Sequence, residues 1–176
     1  MITEEEETSP SSFYGFSKLA AESYIKLFHK LFGLPYTILR YANVYGPRQL
    51  PKGDGGVVAV FLERLKKEEP ILIQGDGEQT RDFVYVQDVV AANVAAAKSA
   101  TNETMHVSTG KSISINALLD QLTAIHGTPI EKRFTDPRPG DIKHSCLSNK
   151  LAKGRIGWEP VVPLVEGLEH AYRSNN

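Results

Sequence analysis

The chain has 176 residues, of which 41% are hydrophobic, enough to bury the core of one domain. Its 20 lysines and arginines balance 21 aspartates and glutamates, so no basic field is present to attract a nucleic acid. The single Cys146 excludes an internal disulfide. No membrane-length apolar run or apolar leader occurs, and the histidines lack paired ligand spacing. We therefore expect a cytoplasmic protein without a metal, membrane or nucleic-acid partner.

The first predicted elements are a helix and, closely after it, a strand. Thr8 and Ser9 before Pro10 are typical of a helix start, so the helix is expected to begin near Pro10. Residues 36–41 are rich in branched and aromatic side chains and predict a strand covered on both faces, as in a parallel sheet. An apolar stripe at helical spacing, ending at Gly33, predicts a helix face packed against a large partner. Its members are Leu19, Ala20, Tyr24, Leu27, Phe28 and Leu31.

The rest of the chain alternates short strands with helices, which predicts an α/β fold. Glycines and prolines between 46 and 56 mark loops of the kind that carry binding sites. Asp88 is expected to cap a helix. Leu164, Val165, Leu168 and Ala171 are expected to dock the last helix on the body. The predicted strands are 71–74, 83–85, 105–107 and 130–134, and the predicted helices are 57–67, 88–97, 114–125, 147–156 and 164–172.

Tyr14 and Lys18 are the most informative pair of polar residues. Positions four apart lie on one face of a helix, so a phenol and an ammonium can act on one small molecule. An ammonium beside a phenol favours the phenolate, which suits the phenol to proton transfer. The alternative is a surface lysine beside a packed tyrosine, and the spacing alone does not decide between the two.

Four segments of the sequence form recognisable motifs, at residues 12–22, 40–48, 75–89 and 138–142. In this order they resemble the extended short-chain dehydrogenase/reductases, the NAD-dependent epimerase/dehydratase family. Residues 12–22, SFYGFSKLAAE, resemble the active-site helix of that family. Residues 40–48, RYANVYGPR, resemble its strand and loop beside the nicotinamide and the sugar. Residues 75–89 and 138–142 resemble its nucleotide-sugar segments. Within the family, the combination is most similar to bacterial UDP-glucose 4-epimerases.

This resemblance implies a Rossmann-type fold and a division of labour along the chain. Residues 1–45 would be the last helix and strand of an NAD-binding domain, and residues 46–176 mainly a nucleotide-sugar domain. Tyr14 would handle the proton of the sugar 4-hydroxyl, and Lys18 would bind the nicotinamide ribose, with Tyr41 also beside the cofactor. Hydride would pass from sugar C4 to NAD and return to the other face of a 4-keto sugar.

The other implied site residues surround a UDP-sugar. Arg81 and Arg138 match diphosphate-binding positions, and guanidinium groups bind phosphate oxygens bidentately. Asn43 matches a contact to the sugar and phosphate, and Asp141 a contact to the ribose; each also suits a turn. The walls around the uracil are matched by Gly56, Val57 and Gln74.

Two features of the family have no counterpart in this sequence. No glycine-rich turn for the dinucleotide pyrophosphate precedes the Tyr14 helix, and no catalytic Ser or Thr is assigned upstream of Tyr14. The resemblance therefore implies a carboxy-terminal fragment, inactive alone, whose exposed sheet edge favours a homodimer or other self-association. Asp82, Asp88 and Trp158 are interpreted as structural, in a loop, a helix cap and the core.

The sequence leaves alternative functions open. Within the enzyme class, these are a nucleotide-sugar 4,6-dehydratase, a decarboxylase or a 5-epimerase, with UDP-glucuronate or an N-acetylated sugar as other substrates. From another class, the chain is a non-catalytic nucleotide-sugar binding or interaction module, in which Arg81 and Arg138 bind the ligand and Tyr14 is idle.

Overall fold

The computed structural model describes residues 1–51, 56–99, 102–137 and 140–175. In these residues the helices are α1 (Phe13–Phe32), α2 (Val57–Lys66), α3 (Val86–Lys98), α4 (Ile115–His126), α5 (Lys150–Ile156) and α6 (Leu164–Asn175). The strands are β1 (Thr37–Tyr41), β2 (Asn43–Tyr45), β3 (Ile71–Gln74), β4 (Thr80–Tyr85), β5 (Glu103–Val107), β6 (Ser112–Ser114) and β7 (Lys132–Thr135). The predicted α/β class is confirmed.

Parallel pairing joins strands that are distant in sequence. β1 pairs with β5, with Thr37 opposite Glu103 and Tyr41 opposite Val107. β4 lies between β2, which is parallel to it, and β6, which is antiparallel. β3 pairs in parallel with β7. Parallel strands need long crossovers, and helices supply several of them here.

Two clusters of buried apolar side chains hold together the elements that follow β1. In the smaller cluster, α3 and α5 cover β4 and β5, and the Trp158 indole Nε1 donates to the Asp88 carbonyl oxygen at 2.9 Å. The prediction that Trp158 belongs to the core is thus confirmed. The larger cluster lies between α2, α4, α6 and strands β2 to β4, and includes Phe61, Ile71, Leu118, Leu122 and Leu168.

α1 differs from the predicted helix in its start and in its packing. It begins at Phe13, not near Pro10, because the Ser12 hydroxyl caps it by accepting a hydrogen bond from the Gly15 backbone N–H at 3.1 Å. It ends, as predicted, at Gly33, which adopts the left-handed conformation. The prediction of a helix face packed against a large partner is wrong for this structure, because no residue of α1 is buried.

The structure also corrects the role of Asp88. This residue lies inside the first turn of α3 and does not cap it. Its carboxylate accepts hydrogen bonds from the backbone N–H groups of Val161 and Val162, at 3.1 and 3.2 Å. Asp88 therefore connects α3 to the segment before α6. The role is structural, as interpreted from the sequence, but the partners are tertiary.

Smaller differences concern strand and helix boundaries. β2 and β6, three residues each, were not predicted, and β4 begins at Thr80, three residues earlier than expected. The helix predicted from residue 147 begins at Lys150. In α6, Leu168 and Ala171 are buried as predicted, whereas Val165 is exposed. Positions 164, 168 and 171 form one helical stripe, and position 165 lies about 100° around the helix from it.

Asp82 holds the loop that follows β5. Its buried carboxylate accepts hydrogen bonds from the backbone N–H groups of Thr109 and Gly110, each at 3.0 Å, and from the Thr109 hydroxyl at 2.7 Å. Burial raises the pKa of the Asp82 carboxyl, while these hydrogen bonds lower it. The prediction that Asp82 stabilises a loop is confirmed.

Candidate active site

A cavity of about 1070 Å³ lies between α1, β1, β2 and the start of α2. Residues 8–10 and the segment around residues 145 and 147 contribute to its wall. The cavity brings together six of the residues predicted from the sequence, which are Tyr14, Lys18, Tyr41, Asn43, Gly56 and Val57.

α1 places Tyr14 and Lys18 on one face, one turn apart. The Lys18 Nζ lies 5.1 Å from the centroid of the Tyr14 ring, which is within the range of a cation–π contact. Tyr14 is 62% exposed, so a ligand in the cavity can reach its hydroxyl. The geometry that the four-residue spacing predicts is therefore present.

Three tyrosines line this cavity, and their hydroxyls differ in what they bind. The Tyr41 hydroxyl donates to Asn93 Oδ1 at 3.0 Å, and the Tyr45 hydroxyl donates to the Leu164 carbonyl oxygen at 3.2 Å. Burial raises the pKa of the Tyr45 phenol, which keeps it protonated. The Tyr14 hydroxyl makes no hydrogen bond to any part of the chain that the structure describes. Of the three, Tyr14 is the one whose hydroxyl can both donate to and accept from a ligand without breaking a described hydrogen bond.

Asn43 lies on β2, opposite Phe83 of β4. Its Nδ2 donates to the Asp82 carbonyl oxygen at 3.2 Å, which fixes the orientation of the amide. Parallel pairing of β2 with β4 therefore sets the position of Asn43 at the cavity wall. In the described residues its amide oxygen accepts no hydrogen bond, so it is available as an acceptor at the cavity wall.

Gln49 is a cavity residue that the sequence reasoning missed. Its Nε2 donates to the Val44 carbonyl oxygen at 3.0 Å. A Cβ added at Gly56 would lie 2.7 Å from this nitrogen, so glycine at position 56 allows α2 to start close to Gln49. The position of Gln49 directly after the matched segment 40–48 is the signal that points to it.

Arg81 and Asp141 lie outside the cavity lining, Arg81 on β4 and Asp141 paired with it. Arg81 precedes the cavity residue Phe83 by two positions, so both side chains lie on the same face of the strand. The Arg81 Nη2 donates to Asp141 Oδ1 at 2.6 Å, and its Nη1 donates to the Thr80 carbonyl oxygen at 2.8 Å. Each of the two terminal nitrogens of the Arg81 guanidinium therefore has one hydrogen-bond partner, in the adjoining backbone for Nη1 and at Asp141 for Nη2.

The remaining predicted contacts are not brought to this cavity. Gln74 ends β3, opposite Thr135 of β7, and its carbonyl oxygen accepts from Gln79 Nε2 at 2.8 Å. Arg138 lies outside the described residues. The roles of these two residues stay predictions.

α1 is attached to β1 by charge. The Arg40 Nε and Nη2 each donate to a carboxylate oxygen of Glu22 at 2.7 Å, a bidentate ion pair.

Glu4 Oε1 accepts from the His106 backbone N–H at 2.7 Å and lies 3.6 Å from the buried His106 Nδ1. Burial lowers the pKa of His106, while the carboxylate of Glu4 acts in the opposite direction. Sequence reasoning missed this network, although Glu22 and Arg40 lie within the matched motifs.

Comparison with known proteins identifies the family. Residues 2–108 match the NAD dependent epimerase/dehydratase family. The chain belongs to this family. A UDP-glucose 4-epimerase of Mycolicibacterium smegmatis is 40% identical over 167 residues, which are 94% of this chain and 53% of that protein.

Solved structures of this family agree with the fold. A Thermotoga maritima UDP-glucose 4-epimerase, solved with UDP-glucose, has a TM-score of 0.95 at 45% identity, over 98% of this chain and 56% of that one. A Thermus thermophilus UDP-glucose 4-epimerase, solved with NAD, has a TM-score of 0.88 at 35% identity, over 99% of this chain and 59% of that one. The Rossmann-type fold of the resemblance is confirmed. The chain spans about half the length of these relatives.

The residues present fit one end of the family's cofactor, NAD. Tyr14, Lys18 and Tyr41 share the cavity, at positions that the resemblance assigns to the nicotinamide and its ribose. The sequence contains no glycine-rich turn after a first strand for the pyrophosphate. Within the described residues, no group of three or more side chains is arranged to hold a metal ion, and no helix has the length and apolar character to cross a membrane.

Proposed function

We propose that this chain carries the proton-transfer and substrate-binding residues of a UDP-sugar 4-epimerase, which interconverts UDP-glucose and UDP-galactose through a 4-keto sugar. One observation carries the proposal. The Tyr14 hydroxyl, which has no hydrogen-bond partner in the described residues, lies at a cavity that Lys18, one turn away, and Asn43 also line. Membership of the family and the likeness to UDP-glucose 4-epimerases support the same reaction.

Tyr14 acts as the acid and base in this proposal. Its hydroxyl is exposed to the cavity, so it can take the proton of the sugar 4-hydroxyl as C4 is oxidised and return it as C4 is reduced. The ammonium of Lys18 stabilises the negative charge that appears on the phenol. NAD, when bound, supplies reversible hydride exchange with sugar C4. The sugar ends with the opposite configuration at C4.

The substrate contacts continue along the chain from the cavity. Asn43 binds the sugar, the backbone around Gly56 and Val57 encloses the base together with Gln74, and Arg81 and Arg138 bind the diphosphate. In this assignment residues 1–45 form the cofactor side, apart from Asn43 at its end, and residues 46–176 form mainly the sugar side. Because the sequence has no pyrophosphate turn, we expect the chain alone to bind a UDP-sugar without turning it over.

A second candidate is a nucleotide-sugar binding module without catalysis. It is favoured by the contrast between Arg81, which is anchored by two hydrogen bonds, and Tyr14, which is open to solvent. The two candidates differ in what Tyr14→Phe does once NAD and the rest of an enzyme of this family are supplied. An epimerase loses turnover with UDP binding intact, whereas a binding module shows no turnover in either form.

The test is calorimetric titration of the chain with UDP and, separately, with NAD. We expect UDP to bind, and Arg81→Ala to weaken it at least about tenfold, because a hydrogen bond to a charged group contributes about 1.5–3 kcal/mol. Arg133→Ala is the matched control, because Arg133 is an exposed arginine paired with Glu131 outside the site. Failure of UDP to bind, or equal losses in the two variants, would overturn the proposal.

We also propose that the exposed face of α1 mediates self-association. Four apolar side chains at helical spacing are exposed there, namely Tyr24, Leu27, Phe28 and Leu31. We expect sedimentation velocity to show dimers or larger species whose fraction rises with concentration. Leu27→Glu should shift the population to monomers, whereas Val161→Glu, at an exposed site away from α1, should not. A monodisperse wild-type monomer at all concentrations would contradict this proposal.

A further inference from the structure

The turn between β3 and β4 joins the two ends of the proposed nucleotide site. Gln74, which the proposed function assigns to the base, ends β3, and Arg81, assigned to the diphosphate, is the second residue of β4. In the described residues β3 pairs with β7, and β4 pairs with β2 and β6, so no ladder joins β3 directly to β4. The distance between Gln74 and Arg81 therefore depends on the turn of residues 75–79 and on what holds it.

Hydrogen bonds within the turn define its shape. Asp76 Oδ1 accepts from the Glu78 backbone N–H at 3.0 Å. Gln79 Nε2 donates across the turn to the Gln74 carbonyl oxygen at 2.8 Å. Gly77 has a φ of 78°, a conformation that glycine adopts without strain. These features close the turn on itself, but they do not attach it to the rest of the molecule.

Asn116, in the first turn of α4, attaches this turn to the core. Its Nδ2 donates to the Asp76 carbonyl oxygen at 3.0 Å and to Glu78 Oε1 at 2.6 Å. Its backbone N–H donates to the Gly77 carbonyl oxygen at 3.0 Å. A Cβ added at Gly77 would collide with the Asn116 amide, so glycine lets the turn lie against that side chain. Because α4 is packed in the larger core cluster, Asn116 holds the turn from a buried helix.

We propose that Asn116 is a positioning residue, which sets the spacing between the base contact at Gln74 and the diphosphate contact at Arg81. The inference rests on the proposed function, because it takes these two residues as contacts of one nucleotide. A ligand that reaches both contacts gains affinity when they lie at the right distance, because the second contact then forms within the same complex. A ligand that reaches one contact does not depend on that distance. Asn116 acts through Gln74 and Arg81 and is assigned no contact of its own.

This role predicts a loss of affinity that depends on the length of the ligand. Asn116→Ala removes both side-chain hydrogen bonds, whereas the backbone bonds from Asn116 to Gly77 and from Ile115 to Gln79 remain. We expect the dissociation constant of UDP to rise about three- to tenfold, as for the loss of about one hydrogen bond. Inorganic pyrophosphate reaches the Arg81 end alone and uridine the Gln74 end alone, so each should change by less than about twofold.

The test is titration of the full chain with UDP, with inorganic pyrophosphate and with uridine, followed by nuclear magnetic resonance chemical shifts. Chemical shifts report weak as well as tight binding, which the two smaller probes require. Gln121→Ala is the matched control, because it truncates a polar side chain further along the same helix. We expect this control to leave the binding of all three probes unchanged.

A pair of variants tests the hydrogen bond between Asn116 and Glu78 directly. Asn116→Asp keeps the shape of the side chain but places a carboxylate against Glu78 Oε1, so UDP should bind more weakly than to Asn116→Ala. Adding Glu78→Gln supplies a donor to that carboxylate and should recover part of the lost affinity. Recovery would show that the orientation of the turn matters. A double variant as weak as Asn116→Asp alone would overturn the inference.

Other results of the Asn116→Ala titration would overturn the inference as well. Equal weakening of all three probes would make Asn116 a residue of general stability, and unchanged UDP binding would separate it from the site. Weakening of UDP and uridine together would place Asn116 in contact with the base. A wild-type chain that binds UDP but neither smaller probe would show that the two contacts are not separable. The proposed function fails on a different result, which is the absence of Arg81-dependent UDP binding in the wild-type chain.

Discussion

α1 and α4 are both amphipathic, both capped by a serine hydroxyl and both ended by a left-handed glycine, yet only α4 buries its apolar face. The twelve residues of α4 bury four apolar side chains in the larger core cluster, whereas the twenty residues of α1 bury none. The same local signals therefore produce a helix in both places but not the same packing. An apolar stripe indicates a face that can be buried, and the neighbouring chain decides whether it is.

The difference also separates the two halves of the proposed site. Tyr14 and Lys18 lie on α1, whose described attachment to the strand beside it is the Arg40–Glu22 ion pair. Asn43 and Arg81 lie on strands of the packed sheet. Apolar burial is the larger source of stability, because exposed or partly exposed ion pairs contribute little. We therefore expect the packed sheet with Asn43 and Arg81 to be more stable than α1.

The largest difference in stability between the two helices should appear when one leucine of each is truncated. Leu122 of α4 is fully buried, so Leu122→Ala is expected to lower the free energy of unfolding by about 2–5 kcal/mol. Leu27 of α1 is 48% exposed, and Leu27→Ala should stay within about 0.5 kcal/mol at protein concentrations too low for the proposed self-association. Urea titration at such a concentration, followed by far-UV circular dichroism, measures both changes. Similar losses would mean that α1 is packed within the monomer.

A smaller effect should come from the two glycines that end these helices. Gly127 has a φ of 81° and Gly33 a φ of 67°, and no atom lies within 4 Å of a Cβ added at either position. Any loss of stability on substitution by alanine then comes from backbone strain, and Gly127→Ala is expected to lower the free energy of unfolding by about 1–2 kcal/mol. Gly33→Ala should cost less, because the last turn of an unpacked helix can fray. Equal losses in the same urea titration would argue that α1 is as firmly held as α4.

The smallest effect should be a dependence of stability on pH through His106. Burial lowers the pKa of this imidazole in the folded chain below its value of about 6.5 in the unfolded chain. Between the two values the unfolded chain binds more protons, so stability is full above about pH 6.5 and falls as the pH drops through that window. The opposing Glu4 carboxylate and a hydrogen bond with the Ser148 backbone keep the effect small.

The measurement is the free energy of unfolding of the wild type and of His106→Asn between about pH 5 and 8. Arg40 and Glu22 also face this imidazole, so the variant isolates its contribution from theirs. We expect the slope near pH 6 to be shallower in the variant. An identical slope would show that other groups control the dependence on acid.

The sequence predicts much of this fold because its signals are local. The helix predicted over 114–125 is observed as α4, with Ser114 as its cap and Gly127 at its end, and four residues of the matched motifs, Tyr14, Lys18, Asn43 and Gly56, line one cavity. The capping role expected for Asp88 is wrong. The sequence shows a carboxylate near a helix start, but it does not show whether that carboxylate binds its own helix or a distant backbone.

The parts that were missed depend on contacts between distant residues. β2 and β6 are too short to show an alternation of polar and apolar residues, and they are strands because they pair with β4. The partners Arg81 and Asp141 are 60 positions apart, so only the folded chain shows that they meet. The attachment of α1 through Arg40 and Glu22 is likewise a tertiary contact.

Trp158 is the single tryptophan of the chain, and it lies in the smaller core cluster with its indole bound to the Asp88 carbonyl oxygen. Its intrinsic fluorescence therefore reports on α3, α5 and β5, and it gives no signal when α1 detaches. A melting curve recorded by emission alone would show one sharp transition even if the helix with Tyr14 had already dissociated. Emission and helical content must be recorded together, and any gap between the two curves measures how independently the helix with Tyr14 and Lys18 unfolds.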